Sequence, residues 1–316
     1  MTTKKRGWAA LAAAALALTG CVLHDALFGF KPPTISVTGS APGEMSYREG
    51  SGGLVIITGR VNDMADVDFI LDTGAPVTVL IDGAQTTALK LDTSKAAHLG
   101  DPRDPATPIG VIQGSFAMKF GAISLTDLTA VLIPAKSLPC RDRFAAINFG
   151  GVIGADLFKR FVVEIDPALK RVRFHEPKDW RPPEGVATIP LAIEGGHVFI
   201  DAKVMLASGS EIPARLNFDS GMNKPLMLVA GGSSAIPMPT TGDVKMACYA
   251  NGVREELRGP AVDLRMGAIA ARVAEPTYAV RENTASVQRN GAFGVDAFKG
   301  RRMFIDYPGK RLGVAG

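Results

Sequence analysis

The sequence predicts an all-β protein built from two related halves, on three observations. Glycine and proline are abundant, at 35 and 21 of 316 residues, which favours many short strands and tight turns over a helical bundle. Apolar residues alternate with polar or small ones in short runs, as at Val67, Phe69 and Leu71, the period of a strand buried on one face. The chain also repeats itself in order, a sign of a duplicated domain. With 47% hydrophobic and 21% charged residues it can bury one large core or two ordinary ones, and disorder is excluded.

The first residues read as an address. Lys4-Lys5-Arg6 and the apolar run from Trp8 to Leu18 have the form of a secretory signal, and the run is shorter than the roughly 20 residues a bilayer span needs. It ends in Leu18-Thr19-Gly20-Cys21, which resembles the lipobox of bacterial lipoproteins. That resemblance implies loss of residues 1–20 and acylation of Cys21. With Val22 next, it also implies an outer-membrane anchor facing the periplasm. Plain secretion to the periplasm is the alternative. Residues 21–48, with Pro32, Pro33 and Pro42, read as a tether or an inhibitory segment.

The formal charge of +4 owes most of its excess to Lys4, Lys5 and Arg6; without them the basic residues nearly balance the 31 acidic ones. Such a body gives no electrostatic reason to bind nucleic acid. Beyond Cys21, Cys140 and Cys248 remain in a compartment that permits disulfides. They stand in different halves at non-equivalent places, which argues against a bridge between them.

The repeat is explicit. Gly151-Val-Ile-Gly154-Ala-Asp156-Leu-Phe158-Lys159 returns in the second half as Gly291-Ala-Phe-Gly294-Val-Asp296-Ala-Phe298-Lys299, and Ile165-Asp166 as Ile305-Asp306. Lys119-Phe-Gly121-Ala-Ile123 returns as Arg265-Met-Gly267-Ala-Ile269, and Asp72-Thr73-Gly74 as Asp219-Ser220-Gly221. A polar stretch with three prolines, His175 to Gly185, marks the seam. The lobes are therefore placed at 49–180 and 181–316.

Within the first lobe, Val67 to Leu71 reads as a strand running into Asp72, and Pro76 to Ile81 as extended chain. Asp156 to Phe161 reads as one or two helical turns with Asp156 near the N-terminus. Val162–Ile165 and Val172–Phe174 read as strands about a turn at Pro167, matched by the turn at Tyr307-Pro-Gly309. Asn251-Gly252 is a tight-turn signal.

A single Asp-Thr-Gly is a common turn at a strand end. Here one such triplet stands in each half, after Phe69-Ile70-Leu71 and after Leu216-Asn217-Phe218. Each is followed by an apolar-apolar-Gly segment, Val152-Ile153-Gly154 or Ala292-Phe293-Gly294. In these motifs the chain, over roughly residues 50–316, resembles the aspartic proteases, bacterial retropepsin-like proteins in local style and pepsin-like enzymes in having two lobes. The resemblance implies two pseudo-two-fold related β-barrel lobes with short helices and an active cleft between them. Asp72 and Asp219 would form the catalytic dyad, supported by Thr73, Gly74, Ser220 and Gly221. Two carboxyl groups about 3 Å apart cannot both ionise, so they share a proton, an effect for which aspartic proteases are the standard illustration.

The resemblance also implies a hairpin flap over the substrate. Thr107 to Phe116 is the candidate, with Ile109, Gly110, Val111 and Ile112 at its tip, and an ordinary surface hairpin is the alternative. The expected partner is a peptide or protein substrate, met by a monomer. His24, His98, His175 and His197 have no metal-ligand spacing, so no metal is expected. Neither a nucleophile elbow nor a phosphate-cradling loop is present, so no cofactor is expected. Met222 stands where the family usually has a small residue, which keeps open a catalytically silent, protease-like binding lipoprotein. A further alternative has each lobe pairing with another chain.

Overall fold

The computed structural model describes residues 33–38, 43–91, 97–98, 109–138, 140–194, 196–231, 234–249, 252–280 and 289–316. The signal segment and Cys21 lie outside them. The protein is all-β: the described residues form three sheets and a few short helices, the longest of these helices being Arg141–Ile147.

The sheet of the first half is organised around the strand Ala65–Leu71, which leads to Asp72. It pairs antiparallel with Val55–Val61 and parallel with Gly151–Ile153, and the latter pairs antiparallel with Val79–Asp82. The second half repeats this pairing. Glu211–Phe218, leading to Asp219, lies antiparallel to His197–Met205 and parallel to Gly291–Phe293, which in turn pairs antiparallel with Leu226–Ala230. The repeated Gly-Ala pairs form the same tight hairpin twice. Phe120 faces Ile123 and Met266 faces Ile269, with Gly121 and Gly267 at φ 58° and 54°, a backbone region that glycine enters without steric cost.

The third sheet joins the halves. It runs Val186–Pro190, Arg311–Ala315, Met303–Asp306, Val162–Asp166, Arg171–His175, Glu44–Ser46. Its central pairing, Val163 opposite Ile305, ties one half to the other through backbone hydrogen bonds. The repeated Asp166 and Asp306 are buried and cap the turns that follow them, accepting from the Leu169 and Gly309 N–H groups. The seam lies against this sheet: Trp180 is buried on Phe304, with the Arg311 guanidinium over its indole.

Two sequence expectations change here. Thr34–Val37 pairs with Ile123–Pro134, and Glu44–Ser46 with Arg171–His175. Parts of the segment read as a tether are thus strands with partners. Cys140 and Cys248 form a disulfide, with Cα atoms 6.2 Å apart and 108 residues of separation. Non-equivalence was no obstacle, because the bridge joins two unrelated elements. Cys140 caps the helix Arg141–Ile147, and Cys248 lies near the end of the strand Asp243–Tyr249. A cross-link over so long a loop removes much freedom from the unfolded chain. Cys248→Ser is expected to lower the unfolding free energy by about 2–4 kcal/mol in urea denaturation. An unchanged midpoint would show that the bridge does not stabilise the fold.

Candidate functional site

Apolar packing sets the height at which each aspartate emerges. Phe69 and Leu71 are fully buried before Asp72, as are Leu216 and Phe218 before Asp219. Phe69 meets Phe120 edge-on, and Phe218 stacks on Phe293 with centroids 5.1 Å apart. The strand ends are then pinned. The Asp72 N–H donates to the Ile153 carbonyl and the Asp219 N–H to the Phe293 carbonyl, each at 3.0 Å. Sharp turns follow, closed by Ala75 N–H on the Asp72 carbonyl and Met222 N–H on the Asp219 carbonyl. Met222 therefore keeps the turn that Ala75 makes, despite its larger side chain.

The two triplets meet. The Thr73 hydroxyl donates to the Phe218 carbonyl at 2.8 Å and accepts from the Ser220 N–H at 3.0 Å. The Ser220 hydroxyl donates to the Leu71 carbonyl at 2.7 Å and accepts from the Thr73 N–H at 2.9 Å. Both hydroxyl residues are fully buried, at 0% exposure, so these bonds are sealed from competing water. Above them, Asp72 and Asp219 retain part of their surface.

The carboxyl groups of Asp72 and Asp219 lie close enough to each other to interact directly. Gly74 N–H donates to Asp72 Oδ1 at 2.7 Å, and Gly221 N–H donates to Asp219 Oδ1 at 3.0 Å and Asp72 Oδ1 at 3.2 Å. The glycines are required by space. A Cβ on Gly221 would lie 2.3 Å from the Asp72 carboxyl carbon, and one on Gly74 would lie 2.7 Å from that of Asp219. All four residues expected to support the pair are thus in contact with it or directly beneath it.

The electrostatics of the pair are unequal. Burial pushes the Asp72 carboxyl well above its ordinary value, and the charge of Asp219 pushes it further, against the pull of the Gly74 and Gly221 N–H groups. Asp219 is also raised by burial. It is held back by its direct interaction with Asp72, by the Gly221 N–H, and by the positive charges of Arg289 and His197.

Three residues near the pair carry no motif that sequence reading would single out. Tyr307 is buried, stacks on Phe158 and donates its hydroxyl to the Thr73 carbonyl at 3.2 Å. His197 is buried at the start of its strand. Arg289 precedes the strand Gly291–Phe293. Helix Ala155–Phe158 supports the first loop, its Asp156 accepting from the Thr78 hydroxyl.

The expected flap residues belong to a strand. Ile109, Gly110, Val111 and Ile112 lie in the strand Ile109–Phe120, paired with Ala97–His98 and with Ile123–Pro134. They form a hairpin arm, not its tip, and residues 99–108 lie outside the described residues, as do Thr107 and Pro108 of the candidate. In the second half, Asp243–Tyr249 and Gly252–Arg258 form the hairpin signalled by Asn251-Gly252. Among the described residues, no group of three or more His, Cys, Asp or Glu side chains is arranged to hold a metal ion.

Fold and site together define an all-β protein whose two halves bring two aspartates onto one shared Gly221 N–H, above crossed Thr and Ser hydroxyls. The chain matches no protein-family model and no curated protein.

Proposed function

We propose that this protein is an aspartic-type peptidase, in which Asp72 and Asp219 activate a water molecule to hydrolyse a peptide bond. The observation that carries this reading is the carboxyl pair itself. Two aspartates from opposite halves of the chain accept from the same Gly221 N–H over the reciprocal Thr73 and Ser220 contacts. Such a pair holds one proton between two acids, which suits it to act as base and acid in one step.

The inequality of the pair supports a division of roles. Asp219, next to Arg289 and His197, is the ionised member, and Asp72 keeps the proton. Asp219 accepts a proton from the attacking water as its oxygen bonds to the substrate carbonyl carbon, while Asp72 donates its proton to the carbonyl oxygen. The resulting diol collapses as Asp219 passes its proton to the leaving nitrogen. The C–N bond then breaks, and Asp72 recovers a proton from the diol. Every site group belongs to one chain, which supports a monomer as the working unit. The same reading takes Cys21, on its sequence context, as a lipid anchor that holds the site in the periplasm.

The test is cleavage of a diverse peptide mixture from about pH 3 to about pH 8, followed by mass spectrometry. Activity needs Asp219 ionised and Asp72 protonated. The profile is therefore expected to be bell-shaped, with both limbs above the ordinary aspartate value of 3.8. Folded protein that cuts nothing at any pH would overturn the peptidase reading in favour of a silent binding protein.

A further inference from the structure

The strands that carry the aspartates also carry the side chains that flank them, and the two sides differ in chemistry. In the first half Ile56 lies opposite Ile70, and Ile70 beside Val152. Side chains alternate along a strand, so this face also carries Asp72 and Leu54. Leu54, Ile56 and Ile70 form an apolar cluster, with Ile147, Phe149 and Val152 packed against it. In the second half Phe199 lies opposite Asn217, and Asn217 beside Ala292, so His197 stands by Asp219 as Leu54 stands by Asp72.

The counterpart of Phe149 is Arg289. Gly150 donates its N–H to the Asp68 carbonyl and accepts at its own carbonyl from Ile81. Asn290 does the same with Arg215 and Val229. The residues just before these two equivalent positions are Phe149 and Arg289, and the interval between them is the one that relates Gly151 to Gly291. Leucine, isoleucine and phenylalanine on the Asp72 side thus become histidine, asparagine and arginine on the Asp219 side.

The charges around Arg289 fit an anion. Arg289 is exposed to solvent over part of its surface, and burial of the rest is the largest influence on its guanidinium. The charges it feels are Asp219 and, repulsively, Arg254 on the strand Gly252–Arg258. Lys224, in the loop after the second triplet, is neutralised by the buried Glu256 of that same strand. Two guanidinium groups therefore stand on the Asp219 side of the dyad. An arriving carboxylate is attracted there, and arginine can hold it with two parallel hydrogen bonds.

We propose, on the basis of the peptidase reading, that the Asp219 side is a specificity subsite for a carboxylate. Arg289 binds it, while the Leu54–Ile56–Ile70 face takes an apolar residue across the scissile bond. The carboxylate is either an acidic side chain or a free chain terminus.

The experiment uses the full-length protein and peptides that place an apolar residue before Glu, Gln or Lys. A parallel pair of peptides ends at that position as a free acid or as an amide. Wild-type protein is expected to cleave the Glu peptide roughly tenfold or more faster than the Gln peptide, and the Lys peptide least. Arg289→Gln brings the Glu/Gln ratio near one, Arg289→Glu inverts it, and Arg289→Lys keeps most of it. Preference for the free acid over the amide, in place of Glu over Gln, assigns the subsite to a chain terminus. A wild-type ratio of one in both peptide sets overturns the subsite, and so does a wild-type ratio surviving in Arg289→Gln. If nothing is cleaved, the peptidase reading fails separately, and binding of the same peptides to the Asp72→Asn protein, by fluorescence anisotropy, decides. A carboxylate preference lost with Arg289→Gln upholds the subsite, and equal binding or none overturns it.

Discussion

Replacing Asp72 by asparagine is expected to abolish peptide cleavage and, at neutral pH, to make the protein more stable. The loss follows from the proposed roles. Asparagine cannot pass a proton to the substrate carbonyl and take it back, so the rate should fall by about 10²–10⁴-fold, the usual worth of a positioned acid or base. Asp219→Asn removes the base and should cost as much. The gain in stability follows from where Asp72 titrates. In the unfolded chain it loses its proton near 3.8, whereas in the folded protein burial and Asp219 hold that proton to well higher pH. Between those two values the folded state binds more protons than the unfolded state, so stability falls as pH rises through the window. Above it the cost is complete.

Asparagine keeps an oxygen for the Gly74 and Gly221 N–H groups and has no charge to bury. The variant should match wild type near pH 3 and exceed it by about 1–2 kcal/mol at pH 7, the size of gain seen when a strained functional group is removed. Thermal or urea denaturation at the two pH values measures this. A variant less stable than wild type at pH 7 would mean that Asp72 is not the group held protonated.

What the sequence made legible was local. The triplets and the repeated Gly-x-x-Gly segments are strings whose turn and packing demands can be read from a few neighbouring residues. The all-β class followed from the abundance of glycine and proline and from apolar residues alternating in short runs. The register by which Val163 meets Ile305 was not legible, because it depends on segments from opposite halves of the chain and no short pattern encodes it. The Cys140–Cys248 bridge was hidden for the same reason, as only the fold brings their Cα atoms within reach. Thr34–Val37 and Glu44–Ser46 sit among prolines and glycines that read as linker, and partners elsewhere in the chain make them strands. Tyr307 was read only as part of a turn, because its counterpart there is Pro167 and the repeat offered no matching residue. Arg289 needed the equivalence of Gly150 and Asn290, which backbone hydrogen bonds reveal and residue identity conceals.

Thr73→Val and Ser220→Ala are expected to destabilise the protein strongly, each by removing two buried hydrogen bonds. Valine matches threonine in shape, so Thr73→Val opens no cavity. It takes the Thr73 oxygen from the Ser220 N–H and the Thr73 proton from the Phe218 carbonyl, and a buried polar group left unpaired costs about 1–3 kcal/mol. Ser220→Ala does the same to the Thr73 N–H and the Leu71 carbonyl. Both pairs of bonds cross between the two triplets. Once one is lost, the loops can relax and the other pair fits less well. The double variant should therefore cost less than the two single costs added, with a coupling of about 0.5–3 kcal/mol. Thr73→Ser restores a hydroxyl and should recover most of the stability. The same cycle bears on catalysis, because these bonds set the separation of the two carboxyl groups above them. Thr73→Val should lower kcat more than it raises KM, and Thr73→Ser should restore it. Each substitution is read by urea denaturation and by turnover of a single peptide. Silent substitutions would mean that the triplets do not hold each other in solution. Each half would then need a partner from another chain, and activity would rise with protein concentration.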